Sequence, residues 1–174
     1  MERVTKADLY RYGGLTGARG FVKGWFCHGF RYTFLWRKTC RYKKFSLKGI
    51  FYRILKRFFV YDGYHINAVT SIDEGFNIFH RGTVIIGPCK IGRNCTMSHN
   101  ITIGRTMKAG KIGNPVIADN VFMGAGVVII GDVRIGNNVM IAPNAFVNFD
   151  VPDNSIVIGN PGKIIAKENP TKYY

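Results

Sequence analysis

The side chains best suited to chemistry near neutral pH are four histidines, His28, His65, His80 and His99, and four cysteines, Cys27, Cys40, Cys89 and Cys95. A neutral imidazole can take a proton from a hydroxyl and pass it on, because its ordinary pKa lies close to the working pH. His65, His80 and His99 are spaced by 15 and 19 residues. Such a set could alternatively hold zinc, which favours tetrahedral His or Cys ligation with one open position. The cysteines form no C-x-x-C pair, and no Ser or Cys stands in a nucleophile motif, so proton transfer is favoured over an acyl-enzyme route.

These residues sit in a chain of 174 residues, long enough for one domain with a short accessory segment. Lys plus Arg number 25 against 10 Asp plus Glu, yet 47% of residues are apolar, which argues for a folded basic protein rather than a disordered tail. The charge is unevenly divided. Residues 1–60 hold 15 basic residues against Glu2 and Asp8, whereas residues 61–174 hold 10 against 8. No apolar run resembles a signal peptide or reaches the ~20 residues of a membrane span. A reduced, cytoplasmic setting is expected.

The elements that must position the histidines are written in a repeat. Large apolar residues recur every six positions at Ile117, Met123, Ile129, Ile135, Ile141 and Val147. Four residues after each stands a second apolar residue: Val121, Val127, Val133, Val139, Ala145 and Val151. Upstream the spacing continues at Ile66, Ile72 and Ile78, then, after a one-residue slip, at Ile85, Ile91, Met97 and Ile103. A period of six is neither helix nor simple strand; a short strand plus a tight turn has it. Three such units return the chain above itself, so the expected fold is mainly β, a hexapeptide-repeat parallel β-helix starting near residue 64. Gly92, Asn94, Gly124, Gly126, Gly136 and Asn138 suit its corners. Cys89 and Cys95 share the inward phase and read as small core residues.

Residues 105–114 interrupt the repeat as a protruding loop on a rigid scaffold, a common place for function. The expected organisation is a basic, aromatic-rich helical segment (1–61), a β-helix (62–167) and a tail (168–174). Within the first segment, Leu47, Ile50, Phe51, Ile54, Leu55, Phe58 and Phe59 recur at helical spacing, with Lys48, Arg53, Lys56 and Arg57 on the other side. Aromatics interleaved with Lys and Arg suit peripheral contact with the inner face of the cytoplasmic membrane. A helical cap over the open coil end is the plainer alternative. A basic arm for nucleic acid is a reading of another class, disfavoured because no standard nucleic-acid motif is present.

The strings IFHRGTVIIGPCKIGRNCTMSHNITIG (78–104), NPVIADNVFMGAGVVIIGDVRIGNNVMIAPNAFV (114–147) and VPDNSIVIGNPGKII (151–165) resemble the serine acetyltransferase-like branch of the hexapeptide-repeat acyltransferases, whose β-helix is left-handed. DLYRYGG (8–14) and GFRYTFLWR (29–37) resemble the short enzymes that O-acetylate capsular, exopolysaccharide or colanic-acid sugars. The resemblance implies acetyl-CoA as cosubstrate, a homotrimer, no metal, and a sugar hydroxyl of a surface polysaccharide or its lipid-linked precursor as acceptor. Serine is the alternative acceptor.

It also implies roles for residues. His80, in H-x-G-[TI]-V-[IV], takes the position of the general base. His65 stands where relatives carry Asp or Glu to orient that base; Asp73, Glu74 or a backbone carbonyl are the other candidates for orienting it. Asp73, His99 and Asn114 are candidates for the acceptor site, Asn114 replacing a second histidine of serine acetyltransferases. Gly104, Arg105, Gly124, Ala125, Pro143 and Lys163 match the coenzyme A groove between subunits. The histidine spacing does not match that of β-helical carbonic anhydrases, which removes the zinc reading.

Overall fold

A computed structural model describes residues 1–60, 63–108 and 111–172. Helices α1 (Arg3–Tyr10), α2 (Gly17–Trp25), α3 (His28–Arg41) and α4 (Leu47–Phe59) come first. Short strands follow in coils: β1 (Tyr64–Ile66), β2 (Ser71–Ile72) and β3 (Asn77–Ile78); β4 (Val84–Ile86), β5 (Lys90–Ile91) and β6 (Thr96–Met97). After β7 (Ile101–Gly104) comes a hairpin of β8 (Thr106–Lys108) and β9 (Lys111–Gly113). The coils resume with β10 (Val116–Ile117), β11 (Phe122–Met123), β12 (Val128–Ile130), β13 (Arg134–Ile135), β14 (Val139–Ile141) and β15 (Phe146–Val147), and end with β16 (Ser155–Ile158) and β17 (Lys163–Ala166).

Strands of successive coils stack into three parallel sheets. One runs β1-β4-β7-β12-β15, a second β2-β5-β10-β13, and a third β3-β6-β11-β14-β16, to which β17 adds antiparallel. The β-helix expected from the six-residue period is therefore present. All twelve apolar positions from Ile117 to Val151 are buried in its core, and so are Cys89 and Cys95.

Two details differ from the sequence reading. Ile85 points outward at 45% exposure while Ile86 is buried at 1%, because Val84-Ile85-Ile86 is a strand whose alternate residues face inward. The irregularity is larger than one residue: Ile66 pairs with Ile86, twenty residues on, whereas Ile117 pairs with Ile135, eighteen on. The loop expected at 105–114 takes the form of a hairpin, in which β8 and β9 pair antiparallel, with Thr106 opposite Gly113, while positions 109 and 110 lie outside the described residues. The expected junction at 61–62 and the last two residues of the tail also lie outside them. At the corners, Asn94, Asn138 and Gly126 adopt positive φ, but Gly124 is required by space: a Cβ there would lie 2.7 Å from the nitrogen of Pro143.

The first coil has no coil before it, so one edge of its backbone needs other partners. Helix side chains supply them. The Ile66 amide donates to the Tyr32 hydroxyl at 2.9 Å and the Ile78 amide to the Tyr12 hydroxyl at 3.1 Å. Asp8 accepts from the amides of Gly75 and Phe76 at 2.9 and 3.0 Å, and Arg37 donates to the carbonyls of Ile72 and Asp73, both at 2.6 Å. An Arg37–Asp8 ion pair at 2.7 Å ties the two together. The capping expectation for the first segment thus holds, through α1 and α3.

Candidate functional site

His80 follows β3 at the corner between the third and first sheets. The register Ile78↔Met97↔Met123↔Ile141 aligns the residues two positions further on, so His80, His99, Ala125 and Pro143 form one column along that corner. The His80 and His99 rings lie 5.7 Å apart, edge to face, and Phe79 flanks His80 at 4.5 Å. The two extra residues of this coil fall between Ile78 and Ile86, so the chain bulges where His80 sits. Tyr64 pins the bulge by donating its hydroxyl to the His80 carbonyl at 3.0 Å. His99 Nδ1 lies 3.2 Å from the Ser98 hydroxyl, which fixes its ring.

His80 opens onto a cleft of about 360 Å³ between the coil corner and the N-terminal helices. Arg11, His28 and Arg81 line it together with Tyr12, Tyr64 and Asn77, and none of its lining residues is Asp or Glu. The field is cationic. Burial, Arg81 and Arg31, in that order, hold the His28 imidazole below its usual pKa, the neighbouring guanidinium of Arg31 lying 3.0 Å from its Nδ1. Arg11 is held by a 2.6 Å bond to the Thr96 hydroxyl. Among the described residues none donates a hydrogen bond to the buried Asn77 Oδ1. A larger apolar cleft of about 880 Å³ lies among the helices and shares no residue with this one.

The other expected site residues are placed as follows. His65 is on the outward side of β1, exposed, and lines a separate cleft with Cys40, Arg53 and Lys56. It is not among the residues lining the cleft of His80, and the inward alternation of β1 gives Tyr64 and Ile66 to the core and turns His65 out. Asp73 and Glu74 lie at the corner between the second and third sheets, where Glu74 pairs with Arg3 at 2.7 Å. They too are apart from the His80 cleft. Gly104 ends β7 and Arg105 follows it, at the corner between the first and second sheets; Asn114 is exposed at the foot of the hairpin. Gly124 precedes Ala125 in the His80 column, and Lys163 opens β17 on the last edge of the third sheet. Among the described residues no three His, Cys, Asp or Glu side chains are grouped to hold a metal.

The sequence reading gave no site role to Arg11, Tyr12 or Arg81, and weighed His28 without assigning it one. Tyr12 and Arg11 lie within DLYRYGG, and the register of α1 against β3 is what carries them to the corner.

Residues 114–148 match the family of bacterial transferase hexapeptide (six repeats). A serine acetyltransferase of Mycobacterium tuberculosis is 33% identical over 121 residues, covering 70% of this chain and 51% of that protein. The solved serine acetyltransferase of Neisseria gonorrhoeae in complex with serine superposes with a TM-score of 0.73 at 26% identity, over 94% of this chain and 68% of that one. A Brucella abortus serine acetyltransferase in complex with coenzyme A gives 0.74 at 24% identity, a likeness of fold alone, over 95% and 67%. The chain spans about half the length of the curated relatives it matches.

These relatives overturn the expected saccharide acceptor, which rested on segments 8–14 and 29–37. Asp8, Tyr12, Tyr32 and Arg37 of those segments bond the first coil's backbone, so their pattern reports capping of the coil and not the identity of an acceptor. The chain carries the hexapeptide repeat of bacterial transferases on a β-helix, and its likeness in sequence and fold is to the serine acetyltransferase-like branch.

Proposed function

We propose that this chain is an acetyl-CoA-dependent serine O-acetyltransferase in which His80 is the general base. The observation that carries the reading is the place of His80, at the foot of a corner column of flat residues and open to a cationic cleft. In the reaction, His80 takes the proton of the serine hydroxyl as its oxygen attacks the thioester carbon. The carbon–sulfur bond breaks, and the imidazolium returns the proton to the departing thiolate. With Asn114 in place of the second histidine of the serine enzymes, holding the acceptor's carboxylate falls to the guanidinium groups that line the cleft, those of Arg11 and Arg81.

His99, packed against His80 and fixed by Ser98, positions the base. Ala125 and Pro143, with Gly124 pressed against Pro143, offer a smooth wall for the pantetheine arm. Arg105 and Lys163 suit the nucleotide phosphates, reached in a homotrimer where one protomer's His80 corner faces its neighbour's Gly104 corner. The flat sheets of the prism favour such packing, and light scattering at three times 19.6 kDa checks it. Dependence on acetyl-CoA places the reaction in the cytoplasm.

The test is thiol release from acetyl-CoA with serine. His80→Ala lowers kcat by about 10²–10⁴-fold, the range that proton transfer contributes, with KM for acetyl-CoA little changed. Arg11→Met raises KM for serine. Undiminished turnover by His80→Ala, or no release with serine by the wild-type chain, would refute the reading.

A further inference from the structure

Helix α4 is amphipathic in the inverted sense. Leu47, Ile50, Phe51, Ile54 and Phe58 recur at three- and four-residue spacing on one face, and that face is turned to solvent, with Leu47 at 89% and Phe58 at 79% exposure. Phe45, just before the helix, is also exposed. Gly49 is the one buried residue of α4. The face turned inward is the basic one: Arg53 donates to the carbonyls of Thr39 and Gly49, and the Lys56 ammonium lies 4.9 Å over the Tyr32 ring. Burial pulls the Lys56 pKa down, a cost that a helix packed the usual way round avoids. An apolar row this long on a protein surface marks a contact site.

Charge identifies what covers it. Lys43, Lys44, Lys48 and Arg57 are exposed around the apolar row, and no Asp or Glu occurs from residue 9 to residue 61. A second copy docking face to face would set these cations against the same cations with no acidic residue from either segment between them. An anionic lipid surface offers both what the row needs and what the rim needs: acyl chains for Leu47, Ile54 and Phe58, and phosphate groups for the lysines. We propose that α4 docks the protein on anionic phospholipid bilayers, lying in the plane of the surface. This rests on α4 alone and is independent of the acetyltransferase reading.

Flotation of the full chain with vesicles tests it. Vesicles of phosphatidylcholine with phosphatidylglycerol carry the chain upward, pure phosphatidylcholine vesicles do so far less, and raised salt weakens the capture. Leu47→Gln with Phe58→Gln lowers capture about tenfold or more while leaving the thermal melt unchanged, because both side chains are exposed. Wild-type chain left in the soluble fraction with phosphatidylglycerol vesicles would overturn the proposal. So would capture unaffected by the paired substitution, or vesicle-independent self-association that the same pair abolishes.

Discussion

Asp8 gives the most direct test of how the helices and the first coil are joined. Its side chain is buried, accepts from the amides of Gly75 and Phe76, and receives Arg37 Nε at 2.7 Å and Nη2 at 3.2 Å. Asp8→Ala leaves two backbone donors without partners, about 1–3 kcal/mol each. It also leaves a mostly buried guanidinium without its carboxylate, a loss of about 3–5 kcal/mol when fully buried. Arg37 keeps its bonds to the Ile72 and Asp73 carbonyls and some access to water, and such terms do not add, so a total of about 3–5 kcal/mol is expected. Burial pushes the Asp8 carboxyl above its usual range despite Arg37, so the cost of desolvating the charge offsets part of what the ion pair contributes. Asp8→Asn keeps an oxygen for the two amides and is therefore expected to cost about half as much. Urea unfolding at one fixed protein concentration, followed by far-ultraviolet circular dichroism, measures both. A loss below about 1 kcal/mol for Asp8→Ala, or equal losses for the two variants, would refute the reasoning.

Two further outcomes follow from titratable groups whose pKa burial shifts. Burial pushes the Cys89 and Cys95 thiols up to about 12, so in the native chain a disulfide reagent near pH 8 should modify Cys27 and Cys40 but reach Cys89 and Cys95 only after denaturation; peptide mapping reads which sites react. His28 is held below its usual pKa, chiefly by burial, so as pH falls the unfolded chain takes up this proton first. Its contribution to stability is present above about pH 6.5 and is lost as pH drops below that value. The urea midpoint should fall between about pH 7.5 and 5.5, and His28→Asn should flatten the fall; an unchanged slope would exclude His28 as its source.

Much of the β-helix could be read from spacing, because each inward position is filled by one residue type at a fixed interval. The reading failed where three apolar residues run together: Val84-Ile85-Ile86 fits two registers equally, and a one-residue change reverses every side chain. The place of His80 in the coil was legible because its motif lies within the repeat. Its surroundings were not, since Arg11 and His28 reach the cleft through the packing of α1 and α3 on the first coil, which no local period encodes. The apolar stripe of α4 was equally visible. Its outward orientation was not, because periodicity defines a face without saying which way it is turned.

The hydrogen bonds from Tyr12, Tyr32, Asp8 and Arg37 to the first coil also determine where the stack of rungs can stop. A solenoid whose terminal rung offered bare amides would accept the rung of another molecule and grow without limit. Here those positions are already taken by side chains of a different secondary structure, so removing the helices should convert a closed particle into a seed for fibres.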